Sequence, residues 1–152
     1  LWNNVFIINL LRRIFFVPAR LENFYVDYFT NNFTYLSHSS LGLGLVENKF
    51  SGLDLSRYFG ENIMGYPGLN ANVGVLTEGY ISFGYVGILI ISFIFSMIFQ
   101  YIKSINVEPM FAGILFVYIY YMNTAFFSTL LLTHGLLFFI VFAYFFMRGR
   151  VE

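Results

Sequence analysis

Residues 79–102 read GYISFGYVGILIISFIFSMIFQYI, a run of 24 residues without Asp, Glu, Lys or Arg. A helix needs about 20 predominantly apolar residues to cross the hydrocarbon core of a bilayer. The run therefore predicts a transmembrane helix over residues 79–102.

A longer uncharged stretch follows at residues 109–147, in which only His134 can carry a charge. As one helix it would be about 58 Å long, against a hydrocarbon core of about 30 Å. It therefore predicts two transmembrane helices, at 109–127 and 130–147, after a short loop at 103–108. The turn between them falls in a polar cluster: Asn123, Thr124, Ser128, Thr129, Thr133 and His134.

The composition of the whole chain agrees with a membrane protein. Hydrophobic residues make up 59% and charged residues 11%, whereas soluble domains are about 45–50% apolar and about 25% charged. Eight basic residues balance eight acidic ones, so the chain lacks the basic field that binds nucleic acid. With no Cys and two His, we predict neither a metal site nor a metal cofactor. The predicted fold is an all-α polytopic membrane protein.

The positions of the basic residues predict the orientation. Lys103 follows the first span, and Arg148 and Arg150 follow the last. Short loops rich in Lys and Arg stay in the cytoplasm. Loop 103–108 and tail 148–152 are therefore expected in the cytoplasm.

The segment 18–78 is then an external loop, with three basic against six acidic side chains. Two amphipathic helices are predicted within it, a clear one near residues 21–30 and a weaker one near residues 53–63. Residues 1–17 are expected to be the tail of an upstream span or an interfacial segment. The chain is thus expected to be a fragment of a larger helical bundle, with interfacial external helices and about three transmembrane helices.

Three arginines, Arg12, Arg13 and Arg20, lie within nine residues at this external interface. Guanidinium groups bind phosphate oxygens in bidentate geometry and stay charged. The alternative is that they reach to lipid headgroups as ordinary flanking residues of a span.

Other polar residues of the external segment are candidates for chemistry. His38, in a serine-rich loop, can accept a proton near neutral pH. The carboxylates of Asp27 and Glu78 can orient or deprotonate a hydroxyl, and Asn70 and Asn72 can bind sugar hydroxyls. The alternative is that these are solvated or helix-end side chains.

Together these motifs resemble the bacterial oligosaccharide repeat-unit polymerases of O-antigen and capsule synthesis, over about residues 10–90. The resemblance rests on the order and spacing of Arg12-Arg13-x-Phe15-x-x-Pro18-Ala19, Tyr25-x-x-Tyr28-Phe29, Leu36-Ser37-His38-Ser39, Asn70-Ala71-Asn72 and Glu78-Gly79-Tyr80-x-x-Phe83-Gly84-x-x-Gly87. It implies the C-terminal part of a multi-pass glycosyltransferase of the bacterial inner membrane. The implied substrate is an undecaprenyl-pyrophosphate-linked oligosaccharide, and a chain-length regulator is an implied partner.

The resemblance also implies roles for the candidate residues. His38 is the first choice for the base and Asp27 the second. The predicted pyrophosphate ligands are Arg12, Arg13 and Arg20, and the predicted glycan contacts are Asn70, Asn72 and Glu78. No metal or other cofactor is expected, and the fragment alone is expected to be inactive.

Three rival functions stay open at this point, and one of them is a structural membrane subunit in which every charge lies at the interface. An O-antigen ligase uses the same donor but transfers the glycan to a lipid A core. A non-enzymatic polysaccharide transporter or flippase would use the arginines to line a translocation path.

Overall fold

The computed structural model describes residues 2–48, 50, 54–107 and 111–146, and within these ranges the chain is helical and has no β-strand. Its elements, in chain order, are α1 (Trp2–Leu11), a π-helical turn (Arg12–Phe16), α2 (Val17–Phe29), a 3₁₀ turn (Ser40–Gly42), α3 (Leu55–Tyr58), a second π-helical turn (Phe59–Ile63), α4 (Val75–Phe83), α5 (Tyr85–Ser104), α6 (Ala112–Met122), α7 (Phe127–Leu132) and α8 (Leu136–Phe146). This agrees with the predicted all-α class.

Helices α1 and α2 form one long helix, joined through the first π-helical turn. The predicted boundary between residues 17 and 18 therefore falls inside a helix. Pro18 lacks a backbone N–H, and it follows directly on the π-helical turn, at the start of α2. The π-helical turn at Arg12–Phe16 interrupts the regular α-helical hydrogen bonds just before Pro18, so the missing N–H of the proline does not end the helix.

One part of the apolar face of α2 holds the segment before α4 in place. Tyr25 and Phe29 are buried, and the Tyr25 ring stacks on Phe59 with ring centroids 3.9 Å apart. The Tyr25 hydroxyl donates a hydrogen bond to the Ala71 carbonyl oxygen at 2.9 Å. The amphipathic helix predicted here is confirmed as a helix, and this part of its apolar face contacts protein.

The predicted span 79–102 and the observed helix α5 begin at different residues. Gly84 has φ 64° and ψ −145°, a conformation that favours glycine, and the chain turns sharply there between α4 and α5. Residues 79–83 therefore belong to α4. The apolar segment begins at Tyr85. The predicted bound was different because the absence of charged residues does not indicate where the backbone turns.

The last two predicted spans also have different bounds. Helix α6 has 11 residues and ends at Met122, because the chain already turns at Asn123 and Thr124. The next helical segment begins at Phe127 rather than at residue 130, and it bends before Gly135, which has φ 72°. Residues 108–110 and 147–152, with the predicted cytoplasmic residues Arg148 and Arg150, lie outside the described residues.

Two helical segments, Tyr85–Ser104 and Phe127–Phe146, are long and apolar enough to cross a membrane by length and composition. The rest of the described chain covers little of them, since 17% of the first and 22% of the second are buried. Leu89 and Phe138, for example, are 70% and 71% exposed. Apolar surface of this extent needs a partner or a lipid environment.

Helices α4 and α5 pack through two glycines. A Cβ atom on Gly87 would overlap the Gly79 carbonyl oxygen, and one on Gly79 would lie 2.8 Å from the Gly87 carbonyl oxygen. Small residues let helix backbones approach this closely.

We expect Gly87→Ala to destabilise the protein by about 1–3 kcal/mol, because the added methyl group forces α4 away from α5. Gly113→Ala is the matched control, since nothing lies within 4 Å of a Cβ at that position of α6, and alanine favours a helix. Thermal unfolding in detergent measures both. An unchanged midpoint for Gly87→Ala would show that this helix contact is looser than described.

Candidate functional site

The carboxylate of Glu78 is the most enclosed charged group of the described chain. Glu78 lies in the first turn of α4 and is 1% exposed. Its Oε2 atom accepts a hydrogen bond from the backbone N–H of Phe127, the first residue of α7. The first N–H groups of a helix have no partner within the helix, so Glu78 satisfies one of them and ties α4 to α7.

His38 is the second partner of this carboxylate. Its Nε2 atom lies 3.4 Å from Glu78 Oε1, and both side chains are 2% exposed. The imidazole ring also packs against Phe126, with ring centroids 5.6 Å apart. Among the described residues, neither His38 nitrogen has a partner in hydrogen-bonding geometry. His38 and Glu78 therefore form a buried pair held by proximity.

The loop before His38 is fixed by the end of α4. The backbone N–H groups of Thr34 and Tyr35 donate to the carbonyl oxygens of Ile81 and Ser82 at 2.8 and 3.2 Å. Tyr35 and Leu36 have φ values of 50° and 60°, which are costly for side chains of this size. The hydrogen bonds to α4 hold the loop in this conformation.

A small apolar cavity of about 190 Å³ borders the pair on the Glu78 side. Leu36 and Leu41 from the loop, Ile91 from α5 and Phe127 from α7 contribute to its walls. The carboxylate therefore lies next to apolar space rather than next to bulk water.

A larger groove, of about 810 Å³, brings together three predicted site residues: Arg12, Arg20 and Asn70. The rest of its lining is mostly apolar and includes Ile8, Leu11, Phe16, Val17, Leu21, Met64 and Leu69. The side chain of Asn70 is held in place by Ser56, whose hydroxyl group donates a hydrogen bond to Asn70 Oδ1 at 2.6 Å. We call this the arginine groove.

Two predicted ligands lie elsewhere. Arg13 lines a second groove with Phe6 and Asn9, and Arg12 contributes to both grooves. Asn72 is half-buried and lines neither of these two grooves. The structure thus groups two of the three arginines and one of the two asparagines.

Helix α2 carries a stripe of chemically different side chains. Arg20, Phe24, Asp27 and Asn31 are spaced at intervals of three or four residues, so they follow one face of the helix into the turn after it. The Arg20 guanidinium lies 5.5 Å from the centre of the Phe24 ring. Asp27 is exposed, in contrast to His38.

Three pKa shifts reflect the packing around α2. Burial raises the pKa of Glu22, although a hydrogen bond from the Gly74 backbone N–H acts in the opposite direction. Burial, and then the charge of Asp54, raises the pKa of Tyr25. Burial, and then the neighbouring Tyr58, raises the pKa of Tyr28. Both phenols are therefore neutral hydrogen-bond donors at physiological pH.

Comparison of the chain with models of known protein families, with curated sequences and with solved structures found no match.

We expect His38→Leu to destabilise the protein by about 1–3 kcal/mol, because the buried Glu78 carboxylate loses the polar side chain 3.4 Å from its Oε1 atom. Glu78→Gln should cost less, since an amide oxygen can still accept the Phe127 N–H. The double variant should cost less than the sum of the two, and thermal unfolding of all four proteins gives the coupling. Additive losses would show that the two side chains do not interact.

Proposed function

We propose that the chain is part of a membrane glycosyltransferase that joins lipid-pyrophosphate-linked oligosaccharides into a polysaccharide, as the repeat-unit polymerases do. The observation that carries the proposal is the arginine groove, which combines two guanidinium groups and an amide with apolar walls. A lipid pyrophosphate has the matching parts, two phosphates and a hydrocarbon chain.

The two apolar segments support placement in a membrane, and the bacterial inner membrane is the one that the resemblance implies. Lys103 lies at the far end of α5 from α4, about 30 Å away for a helix of this length. The turn at residues 123–126 returns to α4, since Phe127 contacts Glu78. This arrangement supports a cytoplasmic Lys103 and an external α2–α4 segment.

The proposed reaction needs no metal ion. A hydroxyl oxygen of the acceptor glycan forms a bond to the anomeric carbon of the donor. The bond from that carbon to the pyrophosphate oxygen breaks, and its electron pair leaves with the lipid pyrophosphate. Fixed cations at the leaving group lower the barrier, and this is the role proposed for Arg12 and Arg20.

The hydroxyl proton goes to a base, and we assign this role to Asp27 rather than to His38. The side chain of His38 is 2% exposed, so a substrate hydroxyl does not reach it in this structure. Asp27 is exposed and follows Arg20 by seven residues on the same face of α2, a rise of about 10 Å. Its carboxylate is thus separated from the arginine groove by about the size of one or two sugar rings.

The His38–Glu78 pair then has a positioning role. It holds the loop at residues 35–39 against α4 and α7, and this loop follows directly on the stripe of α2. The predicted glycan contact at Glu78 is not part of the proposal, because the carboxylate is enclosed by protein.

We expect Arg20→Ala to lower kcat/KM about 10–100-fold, the cost of losing a hydrogen bond to a charged group. Arg20→Lys should also lower it, because a point charge replaces a bidentate donor. Asp27→Asn should lower kcat by about 10²–10⁴-fold, as expected for loss of a general base. Polymer formation by the complete protein in nanodiscs, with lipid-linked repeat units as substrate, measures all three.

The matched controls are Arg57→Ala and Glu47→Gln, two exposed charges away from the arginine groove. Both should polymerise at the wild-type rate. Wild-type kinetics for Arg20→Ala would indicate that the arginines only contact lipid headgroups. Wild-type kinetics for Asp27→Asn, together with loss of activity in a folded His38→Gln variant, would reassign the base to His38.

A further inference from the structure

A pocket of about 370 Å³ lies where the end of α2, the loop after it and α3 meet. We call it the aromatic pocket. Three tyrosines, three phenylalanines and two asparagines contribute to its lining, among them Tyr28, Tyr35, Tyr58, Phe33, Asn31 and Asn32. None of the described residues that line it carries a charge.

The rings of the aromatic pocket are held in place but not covered. Tyr28 is 44% exposed and packs edge-on against Phe59, with ring centroids 5.6 Å apart. Tyr35 is 53% exposed and packs edge-on against Phe33 at 6.3 Å. Each ring thus keeps part of its surface free for a ligand without having to reorganise.

The backbone of Tyr35 is held in a strained conformation. Its φ of 50° is unfavourable for a tyrosine, and the following Leu36 has φ 60°. Strained residues of this kind persist where surrounding contacts enforce them, and they cluster at binding sites. Here the N–H of Tyr35 is held by the Ser82 carbonyl oxygen, so the ring stays at the rim of the pocket.

The lining matches the chemistry of an uncharged sugar. A pyranose ring presents a face of C–H groups that packs on an aromatic ring, and a rim of hydroxyls that an amide can bind as both donor and acceptor. Specific small-ligand sites combine aromatic walls with a few polar groups in this way. The lack of charge among the described lining residues separates this pocket from the arginine groove, which suits an anion.

We propose that the aromatic pocket binds neutral sugar units of the glycan chain. The inference rests on the proposed function for the class of ligand. Asp27 lies on α2 between Arg20 of the arginine groove and Asn31 of the aromatic pocket, so a glycan seated in the pocket lies on the side of Asp27 opposite the pyrophosphate. The pocket therefore replaces the predicted contacts Asn72 and Glu78 as the main glycan site.

Aromatic residues also collect at the ends of membrane-spanning helices, where they anchor the protein at the lipid interface. Tyr85 gives a control for this alternative, because it begins α5, is 78% exposed and does not line the aromatic pocket. Asn23 is the control for the amides, since it is exposed on α2 and also lies outside the pocket.

The experiment measures binding of the soluble oligosaccharide released by mild acid from lipid-linked repeat units of the cell that carries this gene. The complete protein is held in nanodiscs, and Kd is measured by saturation-transfer NMR for wild type and four variants. Tyr35→Gly removes a ring and relieves the strain at φ 50°, so the loop is expected to stay folded. Asn32→Ala removes an amide, and Tyr85→Ala and Asn23→Ala are the controls.

We expect Tyr35→Gly and Asn32→Ala each to raise Kd by about 5–10-fold, and the two controls to bind like wild type. No binding by wild type, or equal Kd values for pocket and control variants, would overturn the proposal. Equal loss in Tyr85→Ala and Tyr35→Gly would indicate an interfacial anchor instead.

The proposed function is tested by a different measurement, the length of the polymer in cells. If Tyr35→Gly weakens binding but the gene does not affect polymer length in cells, the sugar site stands and the polymerase proposal falls. If polymer length depends on the gene but Tyr35→Gly binds like wild type, the reverse holds.

Discussion

The carboxylate of Glu78 lies where three parts of the chain meet. It accepts the first N–H of α7, it lies beside His38 of the preceding loop, and its own helix packs against α5 through Gly79 and Gly87. A buried charge is tolerated only when it is paired and hydrogen-bonded. These contacts therefore fix how the α2–α4 segment sits on the two long apolar segments.

In this arrangement, groups of different chemistry follow one another along helix α2. The arginine groove lies near its beginning, the exposed carboxylate of Asp27 in its middle and the aromatic pocket at its end. A glycan linked to a lipid pyrophosphate has a hydrocarbon chain, an anionic link and neutral sugars in the same order. The stripe on α2 is thus the feature that relates the fold to the proposed function.

Part of this could be predicted from the sequence and part could not. The helical spacing of apolar residues predicted α2, and the absence of charge predicted the apolar segments. The turn at Gly84 could not be predicted, because glycine is also common inside membrane-spanning helices. The pairing of His38 with Glu78, 40 residues apart, depends on tertiary packing, and so does the burial that favours Asp27 over His38 as the base.

The grouping of Arg12, rather than Arg13, with Arg20 could not be predicted from the sequence. In a regular α-helix the spacing of seven residues would place Arg13, rather than Arg12, on the face of Arg20. The π-helical turn at Arg12–Phe16 changes this angle, so Arg12 lines the arginine groove with Arg20. The aromatic pocket was missed although Tyr28, Asn31, Asn32 and Tyr35 are close in sequence, because the loop conformation that groups them depends on α4.

We propose that this chain belongs to an enzyme that lengthens a surface polysaccharide. The most direct measurement is the chain-length distribution of that polysaccharide after disruption of the gene, with the intact gene restored as the control. We expect that only single repeat units remain after disruption and that long chains return on restoration. Normal chain lengths in the disrupted strain would contradict it.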